Sequence, residues 1–342
     1  MELIKSICSA ARLWEDPEHT PRAVATRKTL AEANRFSEFS IAFAVNQQMS
    51  LLTEESLVDW KRELLSANSD TVAVLNPGNI PMVELQDYLA VVLSGHRYIG
   101  SVSSKSPYLF PAFLAEIKRS GADPKATLLS QKDALNACNR LIVSGSDDVI
   151  GEIQRSASDI GLSSKQCWFR GHRIAVAVLD GREDEDALVA LAEDALMHEG
   201  MGCRSVSIVF APRRMSIDGV LDSFGAHRVM FPAHDLTSGP LKMQQALLAA
   251  LKTPHAYSED YQFLLSRGEP IEQGPCHIRW VQYDALEEVT EWIDANKDRL
   301  QGVFSSERLH SKNAGWEPLG TAQRPTLNWH PDNRSHSSFL RT

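Results

Sequence analysis

Two hydrophobic rhythms alternate along this chain. Short β-branched runs place apolar residues at consecutive positions. Between them, apolar residues return every three or four positions. Thr71–Leu75 (TVAVL), Arg97–Val102, Leu141–Ser144 (LIVS), Arg173–Leu179 (RIAVAVL), Ser205–Phe210 (SVSIVF), His227–Phe231, His277–Tyr283 (HIRWVQY) and Gln301–Ser305 read as strands. Val83–Leu93, Tyr108–Lys118, Asp147–Ala157, Asp184–His198, Ile217–Phe224, Leu241–Leu251, Tyr257–Leu265 and Leu286–Ala295 carry helical spacing. Ahead of the first strand, Ala23–Gln48 is helical. Thr53 before Glu54 and Glu55 starts a further helix that runs to about Leu65. Strands with unbroken apolar runs are buried on both faces, as in parallel sheets. Their alternation with helices predicts an α/β architecture.

The length of 342 residues suits about two domains. A boundary is expected at Asp180-Gly181-Arg182, where a strand meets an acidic segment. From about His310 the chain is rich in Pro, Asn, His and Ser and loses its periodicity, which predicts an extended tail packed onto something. With 43% hydrophobic and 23% charged residues there is material for a real core, which excludes a disordered or collagen-like chain. Lys and Arg number 35 against 44 Asp and Glu, a net charge of −9. Such a chain lacks the basic footprint of a nucleic-acid binder, so an anionic ligand must find its positive charge locally. The opening MELIKSICSAARLWEDPEH turns acidic before any long apolar stretch, so no signal peptide is expected. The runs Ile174–Leu179 and Ala246–Leu251 fall far short of the ~20 residues that span a bilayer.

The five cysteines, Cys8, Cys138, Cys167, Cys203 and Cys276, are odd in number and widely spaced, with no CxxC pair. Neither a zinc site nor a disulfide framework is expected. His198-Glu199-Gly200-Met201-Gly202 is not the HExxH of a metalloprotease, and no metal is expected elsewhere. The plain reading is a cytoplasmic protein with reduced thiols, one of them reactive.

Three segments could carry chemistry. Gly200-Met201-Gly202-Cys203-Arg204 lies between a long helix and the strand SVSIVF. Glycines there allow a strained turn that exposes a thiol, and Arg204 could favour the thiolate; the plainer alternative is a small buried cysteine. Asn76-Pro77-Gly78-Asn79-Ile80-Pro81 follows a strand and precedes a helix, where open α/β sheets bind ligands. The Asn79 amide could there hold an oxyanion, or the segment could be an ordinary Pro/Gly/Asn turn. In Ser144-Gly145-Ser146-Asp147-Asp148 a strand runs through a glycine loop into a helix whose N–H groups suit a phosphate, although the two aspartates oppose one.

Taken in order, Pro77-Gly78-Asn79, Gly145-Ser146 and Gly202-Cys203 resemble the aldehyde dehydrogenase superfamily. The stretch FRGHRIAVAVLDGREDEDALVALAEDALMHEGMGCRSVSIVFAP, with GSDDVIGEI before it and PLGTAQRPTLNWHPDN near the end, resembles its luminescence-type fatty acyl-CoA reductases. The resemblance covers roughly residues 70–340. It implies an aldehyde dehydrogenase-like α/β fold of two parallel-sheet lobes: a Rossmann-like cofactor lobe with N-terminal helices (1–179) and a catalytic lobe carrying Cys203 (180–308). An extended tail (309–342) would pack back on the core or across a dimer.

The implied reaction is NADPH-dependent reduction of a fatty acyl-CoA thioester to an aldehyde through a thioacyl Cys203. Asn79 and the Cys203 backbone N–H would hold the oxyanion, and Gly145 and Ser146 the cofactor. Arg170, His172 and Arg173 form a cationic cluster that could meet a phosphate or simply be a solvated strand end. Two departures stand out. Gly171–Leu179 carries no carboxylate, where aldehyde-oxidising members place the base that activates water. Ser101 stands where a lysine near the cofactor ribose is usual, with Lys105 four residues on. The resemblance also implies a homo-oligomer; an acyl-activating enzyme or a partner reductase would be what a non-catalytic subunit binds. Two alternatives stay open: an acyltransferase or thioesterase-like relative that has lost hydride transfer, and a non-catalytic subunit.

Overall fold

In the computed structural model, which describes residues 1–64 and 69–341, the chain forms two compact units. The first comprises Met1–His172 together with the stretch from Thr326, and the second Arg173–Pro325.

The first unit opens with helices α1 (Glu2–Glu15), α2 (Thr20–Lys28), α3 (Glu38–Leu51) and α4 (Glu54–Leu64). The long helix expected over Ala23–Gln48 is broken. A π turn at Thr29–Ala33 ends on Asn34 at φ 45°, and Ser37 caps a new start by accepting from the Ser40 N–H. The expected end of the next helix at Leu65 lies outside the described residues. There follow β1 (Thr71–Leu75), α5 (Leu85–Leu93), β2 (Arg97–Ser101), α6 (Leu109–Arg119), β3 (Ala126–Leu129), α7 (Gln131–Asn136), β4 (Arg140–Ser144), α8 (Asp147–Asp159) and β5 (Cys167–Arg170). The five strands form a parallel sheet in the order β3-β2-β1-β4-β5.

The second unit holds β6 (Ile174–Val178), α9 (Glu185–Leu196), β7 (Val206–Pro212), α10 (Asp218–Met230), α11 (Asp235–Ala250), β8 (His255–Tyr257), β9 (Leu264–Arg267), β10 (His277–Tyr283), α12 (Leu286–Asn296), β11 (Leu300–Ser305), α13 (Glu307–His310) and β12 (Glu317–Pro318). Its sheet runs β12-β11-β6-β7-β10-β9-β8, parallel except for β8. β6, IAVAV, is buried along its whole length because β7 and β11 flank it and helices cover both faces. The strand Arg173–Leu179, expected in the first lobe, therefore belongs to the second sheet.

Two elements differ in type from the sequence expectation. His227–Phe231 is the end of α10, not a strand: His227 and Arg228 are buried while Val229 and Met230 point out, a helical rather than alternating pattern. Tyr257–Leu265 is not a helix but β8, a turn and β9. Ser258 builds that turn, accepting from the Tyr261 and Gln262 N–H groups on its carbonyl and hydroxyl. Tyr257 and Tyr261 stack with centroids 5.1 Å apart, so their four-residue spacing imitates a helix face.

The end of the chain, which includes α14 (His336–Leu340), packs onto the first unit. Phe339 and Leu340 join its core, and their carbonyls meet Arg140 at 2.7 Å and His96 at 2.9 Å. Gln86 donates to the carbonyls of Leu327 and Trp329.

Asp87 in α5 lies at the centre of this docking. Its carboxylate is paired with the Arg170 guanidinium and lies 2.8 Å from His336 Nε2, with Asn76 donating at 3.4 Å. Burial alone would raise Asp87, but Arg170 and His336 more than offset it and hold the group below the usual carboxylate range. Removing one partner of a buried pair costs about 3–5 kcal/mol. Arg170→Leu is therefore expected to lower stability to urea by that amount, followed by tryptophan fluorescence, and Asp87→Leu in the same chain to restore most of it. A loss below about 1 kcal/mol in the single variant, as for an exposed pair, contradicts this role.

Candidate active site

Cys203 sits at the tip of a β-turn between α9 and β7. The Ser205 N–H closes the turn on the Gly202 carbonyl at 2.9 Å, and the Gly202 N–H donates to Ser205 Oγ at 3.1 Å. Of the five cysteines, Cys203 alone is exposed. Burial pushes the Cys138 thiol up to about 11 and Cys276 up to about 12, and raises Cys8 and Cys167 as well. Accessibility thus singles out Cys203.

A buried network holds the C-terminal side of this turn. Arg204, which follows Cys203, is 4% exposed. Its guanidinium forks onto the Glu317 carboxylate at 3.0 and 2.8 Å and donates to the Ala322 and Thr321 carbonyls. Gln323 donates to Ser205 Oγ and to the Asp194 carbonyl. The Asp194 carboxylate accepts the Gly320 and Ala322 N–H groups at 2.7 and 2.9 Å. The segment around 317–323 is thereby tied to the turn that carries Cys203.

The N-terminal side is strained. His198 and Glu199 have φ of 54° and 56°, and Gly200 follows at 64°, three consecutive residues in the left-handed region. A Cβ on Gly200 would lie 2.9 Å from the Cys276 amide nitrogen, so only glycine fits. Burial pushes His198 down to about 4, which leaves it neutral near pH 7 and a poor reservoir for a proton.

In the first unit, the sheet has a switch point. From β1 the chain builds β2 and β3 on one side, then returns to β4 and β5 on the other. The carboxyl ends of β1 and β4 lie side by side, with Leu75 opposite Val143. Ligands of open α/β sheets bind where the following loops part. The Pro77-Gly78-Asn79 loop follows β1, and Gly145-Ser146 follows β4. Gly78, at φ 63°, lies so close to Ser103 that a Cβ would meet its Oγ at 2.4 Å; Ser103 donates to the Pro77 carbonyl. The same Ser103 Oγ accepts from the Lys105 N–H at 3.3 Å. Asn79 and Ser101 are half-buried and Lys105 is exposed. Ser146 is the N-cap of α8, and Gly145 is held by its N–H on the Arg170 carbonyl at 3.1 Å. Asp147 is turned aside: its carboxylate accepts the His172 N–H at 2.9 Å.

A glycine turn opens α8, and Lys105 is an exposed cation in the loop after β2. Arg170 does not fit the phosphate role considered for it, because it is 7% exposed and paired with Asp87. Among the described residues no cluster of His, Cys, Asp and Glu could hold a metal ion.

One residue of this region escaped the sequence reading. Glu84, at the N-cap of α5, is 3% exposed and its Oε2 has no hydrogen-bond partner. Nothing in the sequence marks it, since an acidic residue at a helix start is usually solvated.

No family model matches the chain, and no curated protein sequence matches it. Solved structures do. Methylmalonate-semialdehyde dehydrogenase from Oceanimonas doudoroffii superposes with a TM-score of 0.70 at 14% identity, over 98% of this chain and 84% of that one. Succinic semialdehyde dehydrogenase from Streptococcus pyogenes, solved with NADP+, gives 0.68 at 13% identity, over 91% and 78%. Methylmalonate-semialdehyde dehydrogenase from Sinorhizobium meliloti, described as putative and solved with NAD, gives 0.65 at 12% identity, over 90% and 73%. At such identities the likeness establishes the fold, which is aldehyde dehydrogenase-like with parallel-strand sheets.

Burial pushes the Glu84 carboxyl up to about 7, with the Asp87 charge acting in the same direction. The folded value exceeds the unfolded one of about 4.3, so folding favours the protonated form. Its stabilising contribution is full below pH ~4.3 and is lost as pH rises through about 7. Glu84→Gln imitates the protonated form, so its stability relative to the parent should rise by about 2–3 kcal/mol between pH 5 and pH 8. Urea unfolding at both values measures this, and an unchanged difference contradicts a buried carboxyl that folding keeps protonated.

Proposed function

We propose that this protein reduces an acyl-CoA thioester to an aldehyde, with NADPH as the hydride donor and Cys203 as the nucleophile. The observation that carries the reading is the placement of one exposed cysteine at the tip of a turn locked on both sides by buried polar groups. Such rigidity lowers the cost of reaching the attacking geometry.

Cys203 Sγ, as thiolate, attacks the thioester carbonyl. The C–S bond forms as the carbonyl π electrons move to oxygen, and the oxyanion is held by the Cys203 N–H, a role the resemblance extends to the Asn79 amide. The oxyanion collapses, the C–S bond to coenzyme A breaks, and the CoA thiolate leaves and takes a proton. When bound, the nicotinamide cofactor supplies a hydride to the thioacyl carbonyl. The resulting thiohemiacetal alkoxide collapses: its C=O bond re-forms as the C–Sγ bond breaks, which releases aldehyde and regenerates the Cys203 thiolate. Gly145 and Ser146 are assigned to the cofactor pyrophosphate or nicotinamide side, with Lys105 and Ser101 at the neighbouring strand end. β6 is apolar and buried throughout, so it supplies no base to direct water onto the thioester; this favours reduction over hydrolysis.

Ser101, in place of the usual lysine, favours one second reading: acyl transfer without hydride transfer. The resemblance further suggests a cytoplasmic homo-oligomer; Leu236, Met243, Leu247 and Leu251, which form an exposed apolar stripe on and just after α11, support self-association through this face.

Incubation with decanoyl-CoA and NADPH is expected to consume both and release decanal, and intact mass to show a decanoyl adduct lost in Cys203→Ala. Full turnover by Cys203→Ala contradicts the proposal. An adduct on Cys203 without NADPH consumption selects the second reading.

A further inference from the structure

The left-handed turn ahead of Cys203 is held by side chains that no step above uses. Left-handed backbone at a residue with a Cβ costs roughly 1–2 kcal/mol and persists only where surrounding contacts enforce it. Glu199, the second of the three left-handed residues, is 6% exposed. Its Oε2 accepts from Thr237 Oγ1 at 2.9 Å and from Arg228 Nη2 at 3.2 Å. The same Nη2 lies 2.9 Å from Cys276 Sγ, and Nη1 donates to the Phe231 carbonyl at 3.4 Å. Cys276 is itself left-handed, at φ 56°, with its thiol 3.9 Å from Glu199 Oε2. α10, α11 and the segment before β10 thus converge on one carboxylate, four residues before Cys203.

We propose that Glu199, held by Arg228 and Thr237, is a positioning residue that sets the geometry of the Cys203 turn. The proposal rests on the reading of Cys203 as the acyl-accepting nucleophile. A buried carboxylate that only filled space would be replaceable by an apolar group. Here it fixes a backbone conformation that the residues themselves disfavour. Released from it, His198 and Glu199 relax toward right-handed values and Met201-Gly202-Cys203 shifts with them. The thiolate then loses whatever stabilisation the ordered turn gives it.

The test compares the parent with Glu199→Ala, Glu199→Gln and Thr237→Val in two measurements. In the first, Cys203 alkylation by iodoacetamide is followed by peptide mass across pH. Removing a carboxylate charge would, by Coulomb interaction alone, lower the midpoint of this profile; loss of the turn geometry raises it. A higher midpoint in Glu199→Ala, partly restored in Glu199→Gln, is the expected result, and a lower or unchanged one overturns the proposal. In the second, single-turnover acylation by decanoyl-CoA is expected to slow about 100-fold in Glu199→Ala, with half-saturation within about twofold of the parent. Acylation within threefold of the parent overturns it. If Glu199→Ala does not fold, Thr237→Val, which keeps the ion pair, is expected to slow acylation about fivefold, and an unchanged rate overturns the proposal. If the parent forms no acyl adduct at all, the proposed function fails, and the alkylation profile alone then decides the positioning role.

Discussion

A strained turn can carry an exposed thiol only if buried groups on both sides outweigh the strain. At Cys203 they do so from two directions. Upstream, the Glu199 carboxylate gathers Arg228 and Thr237 beneath three left-handed residues. Downstream, Arg204 and Ser205 are bound into the segment around 317–323 through Glu317, Ala322 and Gln323. The thiol is left at the surface while Arg204 and Ser205, which follow it, are buried. A nucleophile held this way needs little reorganisation before attack, because the ordering has already been done in folding.

The first unit is organised about a comparable point. Asp87 receives Arg170 from the end of β5, His336 from the chain's last helix and Asn76 from the loop after β1. One carboxylate therefore joins the end of the chain to the strand ends where the switch-point crevice opens. The same pairing commits the Arg170 guanidinium inside the fold.

Much of this was legible in sequence where periodicity and burial agree. TVAVL, LIVS, RIAVAVL and SVSIVF are strands because consecutive β-branched residues suit a sheet covered on both faces. The turn ahead of Cys203 was legible because glycine tolerates left-handed backbone, which Gly200 adopts at φ 64°. The errors came where side-chain spacing imitated the other period, as at Tyr257 and Tyr261, whose stacking bridges a turn. The pairing of Arg204 with Glu317 was not legible, because adjacency in sequence does not show where a long side chain points. Glu84, Glu199 and Arg228 were invisible: buried charges are distinguished only by the partners that tertiary packing brings to them, or fails to bring.

Amide hydrogen exchange across residues 198–206 tests the central claim, that the Cys203 turn is rigid before any ligand binds. The amides of Met201, Gly202 and Ser205, bonded to the His198 carbonyl, Ser205 Oγ and the Gly202 carbonyl, should exchange as slowly as those of β7, through global unfolding. Exchange at the rate of an exposed loop, orders of magnitude faster than β7, contradicts it.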